Sequence, residues 1–289
     1  MLNYDKVKHW PIEDVTQTWT ERDSILYALG LGVGGDPMDA NQLRFTYEKD
    51  LQAVPTLAAA IAWPKSWMRN PETGIDYLKL VHGEQDTRLF KPMPASGTVT
   101  SRTRVSRICD KGVGKGAIVE LLRDIIDTAS GERIAETRQI SFLRGDGGFS
   151  EVSGVTDAPP AGLPGVPERA PDAEFELTSP AQAALIYRLS GDSNPLHADP
   201  EIAAKAGFSK PILHGLATYG MAAFAAISCL AAGDARRLKR VAARFTAPVY
   251  PGETLRFQFW KGDNGRWHLL ARIDARDVIV LNNGLIILS

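Results

Sequence analysis

Between Asp192 and His197 the chain places a carboxylate, an amide (Asn194) and an imidazole within six residues. Gly191 and Pro195 make this stretch a poor helix and a good turn. Short polar side chains on one turn can converge on a point. An Asp and a His that share a point can hold a water and move its protons. Asp192 alone would read as an Asx turn. With Asn194, Pro195 and His197 in register the reading turns to catalysis. Asp199-Pro200, just beyond, reads as a helix start, with Asp as the cap and Pro in the first turn. A metal bound by Asp192, His197 and Asp199 would lack a closed ligand set, so no metal is expected.

Composition bounds the partners. The chain has 289 residues, 44% hydrophobic and 23% charged, with a net charge of −1. That balance gives no electrostatic reason to expect a nucleic-acid partner. Cys109 and Cys229 lie far apart in apolar contexts, as in a reduced intracellular protein. No basic, apolar leader opens the chain, and its last residues are not a peroxisomal Ser-Lys-Leu address, so a cytoplasmic location is expected. Pro211 to Ala232 is apolar over about the length of a membrane span. His214, Gly215, Thr218, Gly220 and Ser228 interrupt it. A helix covered on all sides inside the fold accounts for it better, and no membrane span is expected.

Two halves position the turn. Residues 151–180 hold Pro159, Pro160, Pro164, Pro167 and Pro171 and read as an extended linker. Residues 1–150 and 181–289 then form similar units. Ile25 to Gly30 resembles Leu185 to Ser190, and each is followed by an apolar helix, Val54–Ala62 in the first half and Ile212–Ala232 in the second. Phe90 with Gly97 and Phe245 with Gly252 repeat at the same spacing. Strand patterns run over Thr98–Ile108, Ala117–Asp127 and Arg133–Leu143, then over Thr254–Trp260, Trp267–Ile273 and Val278–Leu288. Asp263-Asn264-Gly265 marks a hairpin between two of them. Equivalent residues stand about 155–160 positions apart, which indicates a duplication. Each half is therefore expected to wrap a curved antiparallel sheet around a long central helix, an α+β double hot dog. Asp192 and His197 have no counterparts in the first half, where Gly32 and Pro37 stand. One site is expected, in the second half, with the first half as a wall around the substrate. Gly30-Leu31-Gly32-Val33-Gly34-Gly35 satisfies a dinucleotide-loop pattern on paper, but it follows a helix and opens none.

Tyr187-x-Leu-Ser-Gly-Asp192-x-Asn194-Pro195-Leu196-His197, with Ala203 beyond it, resembles the signature of the (R)-specific 2-enoyl-CoA hydratases, the hydratase 2 or MaoC-like dehydratase family. Gly207-Phe208-x-x-Pro211-Ile212-Leu213-His214-Gly215-Leu216 and Pro248 to Leu255 are similar to the family as well. Val81-His82-Gly83-Glu84-Gln85 and Asp110-Lys111-Gly112 resemble its two-repeat branch. The resemblance implies a lyase that reversibly hydrates trans-2-enoyl-CoA to (3R)-3-hydroxyacyl-CoA. Asp192 and His197 would hold the water and pass protons, Asn194 would steady them, and the Gly215 backbone N–H would meet charge on the thioester oxygen. His82, Gly83, Lys111 and Phe245 would bind the thioester. Arg244, with Arg236, Arg237, Lys239 and Arg240, could reach its phosphates. No cofactor is implied, because coenzyme A belongs to the substrate, and hot-dog sheets are compatible with a homodimer. The competing readings are a hot-dog acyl-CoA thioesterase and a non-catalytic acyl-CoA-binding subunit.

Overall fold

The computed structural model describes residues 1–289. The first half holds the strands β1 (Val15–Trp19), β2 (Leu80–Leu89), β3 (Gly97–Asp110), β4 (Ala117–Asp127) and β5 (Arg133–Leu143). Short helices join them: α1 (Tyr4–Lys8), α2 (Glu21–Gly30), α3 (Ala40–Thr46), α4 (Leu57–Ala60) and α5 (Ser150–Ser153). The second half holds β6 (Ala173–Thr178), α6 (Ala183–Tyr187), α7 (Pro200–Lys205), α8 (Gly215–Leu230), β7 (Leu238–Phe245), β8 (Thr254–Lys261), β9 (Arg266–Ile273) and β10 (Val278–Leu288).

All ten strands form one sheet, in the order β1-β3-β4-β5-β2-β7-β10-β9-β8-β6. Read from its centre outward, each side repeats the other strand for strand. The symmetry falls at the β2–β7 pair, near the Asp86–Ala242 register position. The duplication is thus written in the topology, and the two halves join edge to edge. The repeated tyrosines meet as well: the Tyr27 and Tyr187 rings lie 5.6 Å apart, where α2 packs on α6. Gly30 permits that approach, since a Cβ there would fall 3.1 Å from the Tyr187 backbone.

Helix α8 is the axis of the second half, and every residue from Ala217 to Ile227 is buried. Its Ala-rich surface lets the sheet curl close around it. A Cβ at Gly220 would come within 2.6 Å of the Leu31 side chain. The apolar run 211–232 is therefore an interior helix, and no helix is long and apolar enough to cross a membrane.

The first half departs from the expected plan. Its helix, expected over Val54–Ala62, is the single turn α4. The chain leaves it at Ala62, which takes a left-handed φ of 49°, ahead of Trp63-Pro64. Arg123, fully buried on β4, closes the end of that turn. Its guanidinium donates to the carbonyls of Ala58 (3.1 Å), Ala59 (2.6 Å) and Ile61 (2.5 Å) and lies 4.6 Å from the Trp63 ring. Burial pulls its pKa down to about 9.

Four strands escaped the sequence pattern: β1, β2, β7 and β6, the last of which lies inside the stretch expected to be linker. Residues 154–172 carry no helix or strand. They run from Asp157, held by Lys8 at 2.6 Å, to Asp172, paired with Arg169 at 2.7 Å. The anticipated hairpin forms between β8 and β9, with Asn264 and Gly265 both at positive φ.

Candidate active site

The Asp192 loop is built by its own side chains. Gly191 turns the chain at φ 123°, which an L-residue rarely adopts. The Asp192 carboxylate accepts the Asn194 N–H at 3.1 Å. Asn194 accepts the Leu196 N–H at 3.2 Å and so caps the short 3₁₀ turn Pro195–His197. Asp199 caps α7, accepting from Glu201 N–H at 2.8 Å, so its role is the helix start expected of it. This series of caps leaves His197 turned inward and buried.

His197 bonds through Nδ1 to the carbonyl of Ile212 at 2.9 Å. A carbonyl only accepts, so Nδ1 carries the hydrogen and Nε2 presents a lone pair. Burial lowers the imidazole pKa below its ordinary value, against upward pulls from that carbonyl and from Asp192. The ring is therefore neutral near pH 7, as a proton acceptor must be.

His214 stands against it. The two rings stack with centroids 3.7 Å apart and planes at 28°. His214 Nε2 donates to the backbone carbonyl of Asp192 at 3.1 Å, and its ring also lies 4.8 Å from that of Tyr187. Burial, followed by the charge of a protonated His197, pushes its pKa down to about 4. Donor atoms of Asp192, His197 and His214 all fall within 4.8 Å of one another.

His214 is also the residue before α8. The N–H groups of Gly215 and Leu216 open that 16-residue helix with no partner inside the protein. Such N–H groups, with the helix dipole behind them, favour negative charge. A Cβ at Gly215 would lie 3.4 Å from the Phe245 ring, occupying the space beside these donors.

The first half contributes His82. The β2–β5 register slips between His82 and Glu84, leaving Gly83 as an extra residue. That bulge swings His82 onto the inner face with Gln85, which simple alternation would have denied it. The His82 ring meets Phe245 edge to face at 4.8 Å. Burial lowers its pKa to about 4, and the nearby Asp192 carboxylate pulls the other way. Gly83 itself serves by making the bulge.

Asp192, Asn194, His197, Gly215, Phe245 and His82 thus converge where the two halves join. Lys111 does not reach them. It sits on the β3–β4 turn with its amine 5.3 Å from the Phe142 ring, three strand spacings from β2, or about 14 Å. Arg244 faces the opposite side of the sheet, since Phe245 points inward and neighbours alternate. Its guanidinium is paired with Glu84 at 2.6 Å, so the structure places it outside this site. Arg240 is likewise held by Asp86 at 2.7 Å and Arg236 by Asp234 at 2.8 Å.

Sequence reasoning assigned no role to His214, Arg188 or Gln85. Arg188 braces the loop through the Ser193 carbonyl at 3.1 Å. Gln85 is fully buried with both amide atoms unpartnered. A histidine just ahead of a long apolar helix was the available signal for His214.

Fold and site together define a double hot-dog protein in which Asp192, His197 and His214 cluster near the seam of its two repeats. Comparison with known proteins agrees. Residues 163–280 match the MaoC like domain, and residues 17–145 match the MFE-2 hydratase 2 N-terminal domain. A 3-hydroxyacyl-thioester dehydratase Y of Mycobacterium tuberculosis is 44% identical over 86% of this chain and 84% of its own length. The peroxisomal enoyl-CoA hydratase 2 of Arabidopsis thaliana is 37% identical over 90% of this chain and 87% of its own. The crystal structure of a MaoC-like dehydratase from Phytophthora capsici superposes with a TM-score of 0.85 at 31% identity, covering 100% of this chain and 99% of that one. The chain belongs to the MaoC-like dehydratase family, in its hydratase 2 branch.

Proposed function

We propose that this hydro-lyase adds water reversibly to trans-2-enoyl-CoA thioesters, giving (3R)-3-hydroxyacyl-CoA. One observation carries the reading: a neutral His197 with a free Nε2, beside the Asp192 carboxylate, stands next to unpartnered N–H groups at the start of α8.

Hydration needs those parts in that relation. Asp192 and His197 Nε2 hold one water. As its oxygen bonds to C3, the C2–C3 π electrons move onto the thioester oxygen. His197 takes the water proton, and Asp192 stabilises the resulting imidazolium. The Gly215 N–H meets the developing oxyanion, an interaction worth about 3 kcal/mol in comparable sites. The enolate then collapses, and His197 returns the proton to C2. Asn194 acts through the loop, fixing the turn that presents both groups. Phe245 and His82 form the wall on the far side of the thioester. Lys111, at the same end of the sheet, is the cation available to a coenzyme A phosphate. The non-catalytic half serves as the wall around the acyl tail. The reading requires no added cofactor or metal.

The test uses crotonyl-CoA with chiral analysis of the product. Asp192→Asn and His197→Gln are each expected to lower kcat by about 10²–10⁴-fold, the usual share of acid–base help, with the melting temperature unchanged. Release of free coenzyme A in place of the 3-hydroxy product, or full activity in either variant, overturns the proposal.

A further inference from the structure

We infer that His214 is a positioning residue for the reaction, tying the Asp192 loop to the start of α8 and shielding His197 from water. This rests on the reading of Asp192 and His197 as the proton-transfer pair. Three contacts carry it. The Nε2–H of His214 holds the backbone of Asp192 at 3.1 Å. Its ring covers one face of His197 at 3.7 Å. Its own backbone is the cap of the helix whose first N–H groups stand free. The base, the carboxylate and the anion-binding helix end are therefore linked through one side chain, which is 1% exposed.

The tautomers make the link directional. His214 donates from Nε2 to a carbonyl, so its Nδ1 is an acceptor, and that atom is buried without a partner. His197 donates from Nδ1 to Ile212, so its free lone pair lies at Nε2. Both rings are neutral in this arrangement, and stacking them removes water from the base. The charged groups facing the pair are Asp192 and Arg188, which act on both imidazoles in opposite senses. Tyr187 from α6 covers the outer face of His214. His82 from β2 faces Asp192 on the other side.

Two substitutions separate the two roles. His214→Phe keeps a ring against His197 but removes the donor to Asp192. It should lower kcat about 10-fold or more, leave KM within about twofold, and leave the acidic limb of the pH profile of kcat/KM in place. His214→Ala exposes His197, so its pKa returns toward 6.5 and the acidic limb moves to higher pH. His214→Gln, which restores a donor of similar reach, should recover most of the kcat lost in the Phe variant. Wild-type kcat in His214→Phe, with Asp192→Asn inactive in the same assay, overturns the role of His214 alone. Wild-type kcat in both overturns the pair beneath it. An unmoved acidic limb in a folded His214→Ala overturns the shielding.

Discussion

Mild acid should destabilise this protein, and the size of the effect follows from two imidazoles. His82 and His214 have native pKa values near 4 because burial disfavours their charged forms. In the unfolded chain each returns to about 6.5. Between those values the unfolded state binds more protons than the native state, so stability falls as pH falls and is flat above about pH 7. At pH 5 each unfolded imidazole is almost fully charged and each native one almost fully neutral. The difference is close to 1.5 pKa units, or about 2 kcal/mol per residue and about 4 kcal/mol for the two. His197, shifted in the same direction, adds to it. Against a typical total of about 5–15 kcal/mol this is a large fraction. Asp172 and Asp234, held near 2 by Arg169 and Arg236, titrate far below this window. Urea denaturation at pH 8, 6 and 5, on wild type and on His82→Gln, measures it directly. The wild type should lose about 4 kcal/mol, and the variant should lose about half as much with pH. Equal stability at pH 8 and pH 5, or identical slopes for the two proteins, would refute the claim that these rings are buried in neutral form.

Other expectations follow from the same geometry. Asp199→Ala should cost about 1 kcal/mol of stability through loss of the α7 cap and leave kcat near wild type, measured by denaturation and crotonyl-CoA turnover. Gly215→Val places branches against Phe245 beside the free N–H groups, and should lower kcat by about 10²–10³-fold while far-ultraviolet circular dichroism stays unchanged. Prolonged EDTA treatment should leave turnover unchanged. A loss that zinc restores would instead put a metal among the three convergent donors Asp192, His197 and His214.

Which parts of the structure were legible in the sequence depended on how regular the local pattern was. β4, β5 and β10 begin and end where their alternation does, at Ala117–Asp127, Arg133–Leu143 and Val278–Leu288. β2 was hidden because the Gly83 bulge breaks its alternation and because Glu84 and Asp86 are buried. Their charges look like those of a surface loop until Arg244, Arg138 and Arg240 are seen pairing with them across neighbouring strands. β7 carries the matching arginines and was hidden for the same reason. β6 alternates strictly over Ala173–Thr178, but five prolines precede it and the whole stretch reads as linker. The first-half helix failed for a different reason. Val54–Ala62 is apolar enough, but Pro55 and the turn at Ala62 confine it to one turn, and only the tertiary structure supplies Arg123 to satisfy its carbonyls. In the site, Asp192, Asn194, His197 and Gly215 were legible because they lie on short local motifs. Arg244 was misplaced by counting proximity in sequence. Its neighbour Phe245 faces inward, and the period of two sends Arg244 to the other side.

The duplication explains why a single site draws on both halves. Antiparallel pairing of β2 with β7 sets the start of one strand beside the end of the other, so His82 of the first repeat lies against Phe245 of the second. A lone second repeat would leave the β7 edge open and its helix start without that wall. Where the second repeat has the long helix α8, the first has the single turn α4, and the buried Arg123 closes it. His82 approaches the Asp192 loop from the first half, delivered by a one-residue bulge. Deleting Gly83 would restore simple alternation, turn His82 to the outer face and open the thioester wall. The expected result is a higher KM for crotonyl-CoA in a chain whose Asp192, His197 and His214 contacts are unchanged.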